Sequence, residues 1–385
     1  MRMLVAGGGT GGHVFPGIAL AEEVVTRHPA NDVVFVGTAR GLEARVVPEA
    51  GYPIELIEVK GLKGKGILGA LLNLLLLPQA FLQSWRILRR WRPDVVVGVG
   101  GYASGPVVLT AWLMHIPTAV QEQNAIAGMT NRILGRVARA AFTAFPEAAA
   151  HFPRRRVYQL GNPIRRQLMD NYMRPRVEHA EPRLLVFGGS QGAHALNMRV
   201  IEALPHLADL RERVRITHQT GALDREQVEK GYRACGFVPD VREFISDMSA
   251  AYAECDVVVC RAGATTLAEL MVCKRPSILV PFPAAADNHQ VVNARSLADA
   301  GAAVMIEEKD LTGELLGREI RSLLGSRERR ERMARAAGRL GSPQAASEIA
   351  DVCTQLVARR WGSNAGQVRP PGHVPVRPAG VGGSP

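Results

Sequence analysis

Short apolar runs alternate with longer stretches of helical periodicity along most of the chain. The runs are "MLVAG", "DVVFVG", "DVVVGVG" and "IPTAVQEQ" in the first half, and "RLLVFGG", "RVRITHQTG", "CDVVVCRAG" and "PSILVPFP" in the second. This alternation predicts parallel strands joined by crossover helices. The succession of strand, glycine-rich loop and helix at the amino terminus returns at 183–197. We therefore predict an α/β protein with two Rossmann-like, doubly wound domains that face each other across a cleft, where such sheets bind ligands.

The length of the chain fits two domains and a tail. It has 385 residues, and domains usually have about 100–200. Prolines and charges between 161 and 182 predict a linker, so we assign 1–162 to the first domain and 163–344 to the second. A helix around 345–361 could pack back on the first domain. Residues 362–385 are rich in proline and glycine without apolar periodicity, which predicts disorder.

Composition narrows the partners and the compartment. The net charge of +11 favours an anionic partner, which is a nucleic acid, a phosphorylated substrate or an acidic membrane surface. Aromatic residues make up only 5%, and no strip of basic and aromatic residues is visible, so we expect no nucleic-acid partner. Five cysteines without a C-x-x-C pair indicate thiols in a reducing compartment. The amino terminus has no signal-peptide pattern, which predicts a cytoplasmic protein.

The amino-terminal loop resembles a nucleotide-binding loop but lacks two of its parts. Gly7, Gly9 and Gly12 have the spacing G-x-G-x-x-G. A dinucleotide site also expects an acid at the end of the next strand, yet "DVVFVG" runs into "TA" and its only acid, Asp32, lies at the opposite end. A phosphate loop of nucleoside triphosphatases expects a lysine, whereas this loop ends in His13. A tight turn between strand and helix is the alternative.

The most apolar segment covers residues 66–85, "GILGALLNLLLLPQAFLQSW". Asparagine, proline and glutamine interrupt it, so its apolar runs are shorter than the roughly 18 residues of a spanning helix. Its larger side chains share one helical face: Leu74, Leu77, Phe81, Trp85 and Leu88. Basic residues flank it: Lys60, Lys63, Lys65, Arg86, Arg89, Arg90 and Arg92. This pattern is typical of interfacial binding to anionic lipid, and buried helices packed on the sheet are an equal alternative.

The second half contains a candidate diphosphate site. In "CDVVVCRAGATTLAEL" a strand leads through Gly263 into a helix, whose free amides and dipole suit a pyrophosphate. Glu269 follows about one turn later and could accept hydrogen bonds from ribose, or could be a favourable charge near the helix start. A polar cluster suits sugar hydroxyls, although its Asp287 could simply cap a helix; its members are Asp287, Asn288, His289, Gln290 and Asn293. No D-x-D sequence and no metal-ligand set occurs, so amides and dipoles would stabilise a leaving diphosphate.

Taken in order, these and further motifs resemble those of the MurG family, the UDP-N-acetylglucosamine:lipid I N-acetylglucosaminyltransferases of peptidoglycan synthesis. The shared motifs are "GGGTGGHVFPGIALA", "GVGGYASGP", "QEQNAIAGMTNR", "GNPIR", "FGGSQGAHALN", "HQTG", "FISDM", "RAGATTLAEL" and "DNHQVVNA". The similarity extends over about residues 1–360. Several motifs in register are far more specific than one glycine loop.

The resemblance implies a GT-B fold, with the acceptor on the amino-terminal domain and UDP-N-acetylglucosamine mainly on the other. It implies inverting transfer, without metal or other cofactor, to the 4-hydroxyl of the N-acetylmuramoyl unit of lipid I, which gives lipid II and UDP. Matching motifs imply these donor-binding residues: Thr10, Gly11, Gly12, Asn124, Arg165, Ser190, Ile245, Ala264, Thr265, Thr266, Leu267, Ala268, Glu269 and Gln290. Ile245 is expected to pack beside uracil with its backbone open to the base, and Gln290 to reach sugar hydroxyls.

The resemblance also favours the membrane interpretation of the apolar segment. In the family, a hydrophobic surface with basic flanks docks on the cytoplasmic membrane, where the lipid-linked acceptor lies. The residues expected to face the membrane are Leu74, Leu77, Phe81, Trp85, Arg86 and Arg89. We expect a peripheral protein on the cytoplasmic face of the inner membrane. Its expected partners are UDP-N-acetylglucosamine, lipid I and anionic lipids, with other cell-wall synthesis proteins as candidates.

The catalytic base is left open between two residues. An inverting transfer needs a base near the attacking hydroxyl, and the cleft motifs offer His13 and Glu122. His13 could instead be a hydrogen-bonding cleft residue, and Glu122 could position a loop. Gln121 stands where the family commonly has histidine, and glutamine cannot titrate. The rival functions are another GT-B enzyme, such as a diacylglycerol glycosyltransferase or a UDP-N-acetylglucosamine epimerase, and a non-catalytic nucleotide-sugar-binding membrane module; a nicotinamide dehydrogenase is more remote.

Overall fold

The computed structural model of the protein describes residues 1–59, 77–172, 179–189 and 192–360. Leu74, Ser190 and the tail 362–385 lie outside these residues, as does the first part of the apolar segment. All five cysteines lie within them and are free thiols, of which Cys235 and Cys273 are half-buried and the others buried. The expectation of unpaired thiols is therefore confirmed.

The first sheet contains seven parallel strands within the described residues, in the order β3-β2-β1-β4-β5-β6-β7. Their bounds are β1 Arg2–Gly7, β2 Asp32–Gly37, β3 Ile54–Leu56, β4 Val95–Gly100, β5 Thr118–Glu122, β6 Ala140–Thr143 and β7 Val157–Gln159. The strand order reverses between β1 and β4, and the crevice beyond the carboxyl ends of such neighbours is where open α/β sheets bind ligands. Both glycine-rich loops of the first half follow these two strands.

Helices cover both faces of this sheet, which is why β4, "VVVGVG", is buried at every position. The α-helices of this part are α1 Gly11–Arg27, α2 Glu43–Glu49, α3 Leu77–Trp91, α4 Ser104–Leu113 and α5 Met129–Leu134. Residues of β1 alternate between two cores: Met3 and Val5 pack with α1, whereas Leu4 and Ala6 pack with α3 and α4. Short 3-10 helices occupy Pro146–His151 and Arg154–Arg156.

The second sheet has six parallel strands within the described residues, in the order β10-β9-β8-β11-β12-β13. Its strands are β8 Arg183–Phe187, β9 Arg215–Gln219, β10 Asp240–Arg242, β11 Val257–Cys260, β12 Ser277–Leu279 and β13 Val304–Met305. Its α-helices are α6 Arg166–Tyr172, α7 His194–Ala203, α8 Arg225–Ala234, α9 Met248–Glu254, α10 Ala264–Val272, α11 His289–Asp299, α12 Gly313–Gly325 and α13 Arg327–Leu340. Three 3-10 helices lie at Leu204–Leu210, Ala286–Asn288 and Glu308–Asp310. Here the order reverses between β8 and β11, which places the start of α10 at the crevice.

The last helix of the described chain, α14 Ala345–Arg360, returns to the first sheet. Its Ile349 and Cys353 join the core that contains α1. Arg27, in the last turn of α1, donates to Asp351 at 2.6 Å and to Ser347. The chain therefore crosses between the two sheets twice, near 161–165 and near 341–344.

The first part of the predicted linker, residues 161–164, is not an exposed connection. Residues 161–164 are buried, and Ile164 and Leu168 belong to the core of the second sheet. Leu168 lies in α6 and is 1% exposed. Proline and charge suggested a flexible boundary here, but the apolar residues between them pack where the two parts of the chain meet.

Candidate active site

Two glycine-rich loops pack against each other at the reversal point of the first sheet. One follows β1 and the other follows β4. Gly8 donates its N–H to Gly100 O at 3.1 Å. A Cβ on Gly101 would lie 2.3 Å from Gly8 O, and Gly8 and Gly101 have φ of 151° and 82°. Only glycine combines this conformation with so close an approach, so the two loops form one wall whose shape depends on both.

The first turn of α1 has a carbonyl without an intrahelical donor. Pro16 lies four residues after Gly12 and has no N–H to donate to Gly12 O. Thr265 Oγ1, from the second residue of α10, lies 3.5 Å from this oxygen and donates to it. The amino-terminal ends of α1 and α10 therefore meet where the two domains face each other.

His13, the third residue of α1, is held in one tautomer by Gln123. Its Nδ1 lies 3.1 Å from Gln123 Oε1, and Gln123 Nε2 donates to Val99 O at 2.9 Å, which fixes the orientation of the amide. An amide oxygen only accepts, so Nδ1 carries the hydrogen and Nε2 of the neutral ring keeps its lone pair. The ring packs on Gly100, where a Cβ would lie 2.8 Å from it. An imidazole in this state can act as a general base.

Glu122 is fully enclosed and its carboxylate is saturated with donors. It is 1% exposed. Oε1 accepts from the backbone N–H of Asn124 at 3.0 Å and from its side chain at 3.4 Å; Oε2 accepts from Gly128 N at 3.0 Å and Asn131 Nδ2 at 2.9 Å. All four of these donors come from the protein, and the enclosed carboxylate has no direct path to a bound hydroxyl in this arrangement. The geometry argues against Glu122 as the base and supports the alternative that it positions the loop 124–131.

Asn293 of α11 joins this loop to the second domain. It is fully buried, its Oδ1 accepts from Ala125 N at 2.8 Å, and its Nδ2 donates to Asn124 Oδ1 at 3.2 Å and to Ala262 O at 3.5 Å. Asn124, an expected donor-binding residue, therefore has both ends of its amide engaged by Glu122 and Asn293. The sequence contained Asn293 in a polar cluster, but its bridging role depends on a contact 168 residues away.

Arg165 lies between the two domains. Its guanidinium carbon is 5.0 Å from the centre of the Phe15 ring of α1, and one of its terminal nitrogens is 3.9 Å from Glu269 Oε1 of α10. Its Nε is buried and has no hydrogen-bond partner within the described residues. A buried donor without a partner is costly, which suits a residue that contacts an anionic ligand.

Glu269 is more enclosed than the sequence suggested. It is 7% exposed, and the Tyr252 hydroxyl donates to its Oε2 at 3.1 Å. Burial raises the pKa of this carboxyl, while Arg165 and the Tyr252 hydrogen bond act in the opposite direction. The carboxylate therefore does not stand open at the mouth of the cleft, and its contact with a ribose stays a prediction.

The amino terminus of α10 offers fewer groups than expected. Ala264, Thr265 and Thr266 form its first turn, where backbone N–H groups lack intrahelical acceptors. Leu267 N already donates to Gly263 O at 3.0 Å, and the side chains of Leu267 and Ala268 are buried in the core. The side chains of these two residues and the Leu267 amide are thus engaged within the protein, and their contact with the donor stays a prediction.

Two other expected donor contacts are engaged within the protein. Ile245 is 2% exposed and its N–H donates to Gln219 Oε1 at 3.0 Å. The expected packing of Ile245 beside uracil, with its backbone open to the base, stays a prediction. Gln290 Oε1 accepts from Phe282 N at 2.9 Å, which leaves its amide nitrogen for a sugar. The proposed cap is also different, because Asn288 rather than Asp287 precedes α11.

Helix α3 has one packed face and one exposed face. Ala80, Ser84, Ile87 and Leu88 are buried, so Leu88 does not belong to a membrane-facing surface. Trp85 is 40% and Leu82 is 47% exposed, whereas Leu77 and Phe81 are half-buried. One face of this helix thus packs in the protein, as the alternative interpretation expected, and contact of its exposed face with a membrane stays a prediction. The exposed apolar face differs from the predicted one because the packing of Ile87 and Leu88 on the first sheet fixes the rotation of the helix.

Cations and a second exposed tryptophan lie around this face. Arg86 and Arg89 are exposed, and the Arg89 guanidinium is 4.9 Å from the centre of the Trp85 ring. At the end of α4, which packs on α3, Trp112 and Leu113 are 43% and 60% exposed. Trp112 also borders a cavity of about 420 Å³ whose polar lining is largely basic: His115, Thr118, Arg139, Arg156 and Arg359. No local sequence pattern marks Trp112, because it is an isolated aromatic residue.

Two negative observations concern only the residues that the structure describes. Among them, no three His, Cys, Asp or Glu side chains are grouped as metal ligands. No helix within the same residues has both the length and the apolar character needed to cross a bilayer.

Comparisons with known proteins agree with this architecture. The glycosyltransferase family 28 N-terminal domain matches residues 3–143, and the C-terminal domain of the same family matches 183–351. A UDP-N-acetylglucosamine--N-acetylmuramyl-(pentapeptide) pyrophosphoryl-undecaprenol N-acetylglucosamine transferase from Anaeromyxobacter dehalogenans is 86% identical over 98% of this chain and 99% of its own. The Myxococcus xanthus relative of that name is 61% identical, over 96% of this chain and 97% of its own.

A solved structure leads to the same conclusion. The crystal structure of Acinetobacter baumannii MurG is similar with a TM-score of 0.75 and 32% sequence identity, covering 92% of this chain and 99% of that chain. The fold and the site therefore define a glycosyltransferase of the GT-B type. The chain belongs to glycosyltransferase family 28 and, within it, to the MurG family of N-acetylglucosaminyltransferases. The predicted fold class, enzyme class and family are confirmed.

Proposed function

We propose that this protein transfers N-acetylglucosamine from UDP-N-acetylglucosamine to the 4-hydroxyl of the N-acetylmuramoyl unit of lipid I, with inversion and without a metal, at the cytoplasmic face of the membrane. The products are lipid II and UDP. The observation that carries the proposal is the meeting of the starts of α1 and α10, which brings an imidazole with a free Nε2 beside a helix terminus suited to a diphosphate.

The donor side of the proposal rests on α10 and Arg165. The first-turn amides of Ala264, Thr265 and Thr266 and the positive end of the helix dipole suit the diphosphate of UDP. The buried, unpaired Nε of Arg165 adds a charged donor at the same boundary. These groups stabilise the negative charge that develops on the leaving UDP, which is the role a metal has in other transferases.

The acceptor side rests on His13. The acceptor 4-oxygen attacks the anomeric carbon from the face opposite to UDP, and the bond between that carbon and the β-phosphate oxygen breaks with its electrons going to UDP. The proton of the 4-hydroxyl passes to His13 Nε2, while Gln123 accepts a hydrogen bond from Nδ1 and stabilises the resulting imidazolium. Glu122 holds the neighbouring loop and takes no proton.

The membrane side of the proposal rests on α3 and α4. Leu82, Trp85, Trp112 and Leu113 form an exposed apolar surface on two packed helices, which we call the tryptophan surface. Arginines on α3 and around the adjacent cavity surround it with positive charge. Aromatic residues combined with cations favour the interface of an anionic bilayer, so a phospholipid membrane is the expected occupant and would bring the lipid-linked acceptor to the cleft.

The test measures UDP release by the full chain from UDP-N-acetylglucosamine, with and without a lipid I analogue, and repeats it in EDTA. We expect release that depends on the analogue, an inverted disaccharide product and no loss in EDTA. His13→Gln should lower kcat by about 100-fold or more, the usual contribution of a general base. Glu122→Gln should lower kcat less than His13→Gln.

Other outcomes would favour the rivals. Turnover with diacylglycerol alone would overturn the proposed acceptor, and conversion of the donor without any acceptor would favour an epimerase. A UDP-sugar-binding module without activity would bind UDP yet release none from the donor. Inhibition by EDTA would contradict the metal-free transfer.

A further inference from the structure

The first glycine loop already contains an anion, and it comes from the protein. Glu43, the first residue of α2, is 1% exposed. Its Oε2 accepts from Gly9 N at 2.6 Å, and its Oε1 accepts from Thr38 N at 2.9 Å and from Thr38 Oγ1 at 3.0 Å. Within the described part of the chain, its carboxylate is thus held by amides and a hydroxyl rather than by a cation, as phosphates are held in glycine-rich loops.

Three glycines enclose this carboxylate. A Cβ on Gly8, Gly37 or Gly41 would lie 2.1–2.3 Å from an atom of the Glu43 side chain. Gly8 belongs to the loop after β1, whereas Gly37 and Gly41 flank the turn after β2. Side chains at these three positions would collide with the Glu43 side chain, so the glycines allow it to lie between the two turns.

This arrangement accounts for the acid that the dinucleotide pattern lacked. In a dinucleotide site the acid after the second strand points outward to a ribose. Here the acid comes from the following helix and turns inward to the loop amides. We propose that Glu43 is a positioning residue whose carboxylate permanently holds the amides of the first glycine loop and thereby fixes the loop as the acceptor wall.

The fixed loop leads directly to the reacting groups. Gly9 is held by Glu43, Gly8 is held by Gly100, and Thr10 then caps α1, whose third residue is His13. The placement of His13 at the cleft thereby depends on the position of one carboxylate. This inference rests on the proposed transferase function.

The experiment uses the full chain and three variants: Glu43→Ala, Glu43→Gln and the control Glu49→Gln. Glu49 lies on the same helix and is exposed. Glu43→Ala removes a fragment the size of acetate. We expect kcat to fall at least about tenfold, which corresponds to 1.4 kcal/mol, with the KM for UDP-N-acetylglucosamine little changed. Acetate should restore part of the turnover, whereas acetamide should not, and the control should behave as the unmodified protein.

Amide hydrogen exchange gives a readout that does not need activity. In Glu43→Gln an amide NH2 group replaces one carboxylate oxygen, so either Gly9 N or the two Thr38 donors lose their acceptor. Peptides covering residues 7–14 and 36–42 should therefore exchange their amide hydrogens faster than in Glu49→Gln. If the unmodified protein has no transfer activity, the proposed function fails, and this comparison still decides the role of Glu43.

Four results would overturn the inference. Full activity of Glu43→Ala, or rescue by acetamide as good as by acetate, would show that no anion is required. A Glu43→Ala protein that binds UDP normally but gains nothing from acetate would contradict an anion site. If Glu43→Ala does not fold, the exchange measurement on Glu43→Gln decides. Amide exchange as slow as in the unmodified protein, in the peptides covering both 7–14 and 36–42, would overturn the inference.

Discussion

Asn293 is the buried side chain that ties the loop after β5 to the second domain, and its truncation measures how strongly the two domains are joined. The variant Asn293→Ala removes an acceptor from Ala125 N, which lies 2.8 Å from Asn293 Oδ1, and a donor from Asn124 Oδ1 at 3.2 Å. Ala125 is 1% exposed, so water does not replace the lost acceptor.

The magnitude follows from these contacts. A buried N–H left without an acceptor costs about 1–3 kcal/mol, and the two longer bonds made by the amide nitrogen add about 1 kcal/mol together. The expected loss is thus about 2–4 kcal/mol. A change of about 1.4 kcal/mol is a factor of ten in an equilibrium constant. A loss of about 3 kcal/mol would therefore lower the ratio of molecules with joined domains to molecules with separated domains by roughly 100-fold.

A double-mutant cycle with Asn124→Ala is the appropriate assay. Free energies of unfolding in urea and rates of UDP release are measured for both single variants and for the double variant. Because Asn124 and Asn293 share a hydrogen bond, their effects should be non-additive by about 0.5–1.5 kcal/mol. Asn197→Ala is the matched control, since Asn197 is also fully buried but bonds only to residues of the second domain, and its effect should add to that of Asn124→Ala.

Two results would refute the reasoning. One is strict additivity of Asn124→Ala and Asn293→Ala in both measurements, which would mean that the two amides do not interact. The other is an Asn293→Ala variant as stable as the unmodified protein, which would mean that Ala125 N finds another acceptor.

Three further predictions concern other parts of the molecule. Burial lowers the pKa of His218 from 6.5 to about 3, so the unfolded chain binds the extra proton between these values. Stability should fall by up to about 1.4 kcal/mol per pH unit as the pH drops through this window; His218→Gln should flatten the slope in acid titrations, and an unchanged slope would contradict the assignment. Arg165→Gln should weaken UDP binding about tenfold or more in calorimetry, because a charged hydrogen bond contributes about 1.5–3 kcal/mol; an unchanged affinity would remove Arg165 from the donor site. Replacing Trp85 and Trp112 with serine should weaken sedimentation with anionic vesicles at least about tenfold, since each exposes roughly 100 Å² of apolar surface at about 25 cal/mol/Å², whereas serine at the exposed Leu223 should have no effect.

The long strands were predictable because their signal is local. Every position of β4 is apolar, and a strand covered on both faces needs no other information. The strands without a recognisable sequence pattern have only two to four residues each; they are β3, β6, β7, β10 and β13. Such lengths are too short for periodicity, and their place in the sheet is set by neighbours instead.

The candidate site was predictable only where one motif contains both partners. The free amides at the start of α10 follow from helix geometry, and His13 follows from the loop that carries it. Gln123, Glu43 and Asn293 act on groups 110, 34 and 168 residues away. No local pattern distinguishes such residues from ordinary polar ones, so their roles required the three-dimensional structure.

The two crossings between the domains touch each other, which limits how the enzyme can open. Gly161 has φ of 89°, and a Cβ on it would lie 2.2 Å from the Cβ of Ser342. Two covalent connections at one point act as a pivot: the domains can rotate about it, but they cannot slide apart. A small angle at the pivot gives a large displacement at the far rim of the cleft.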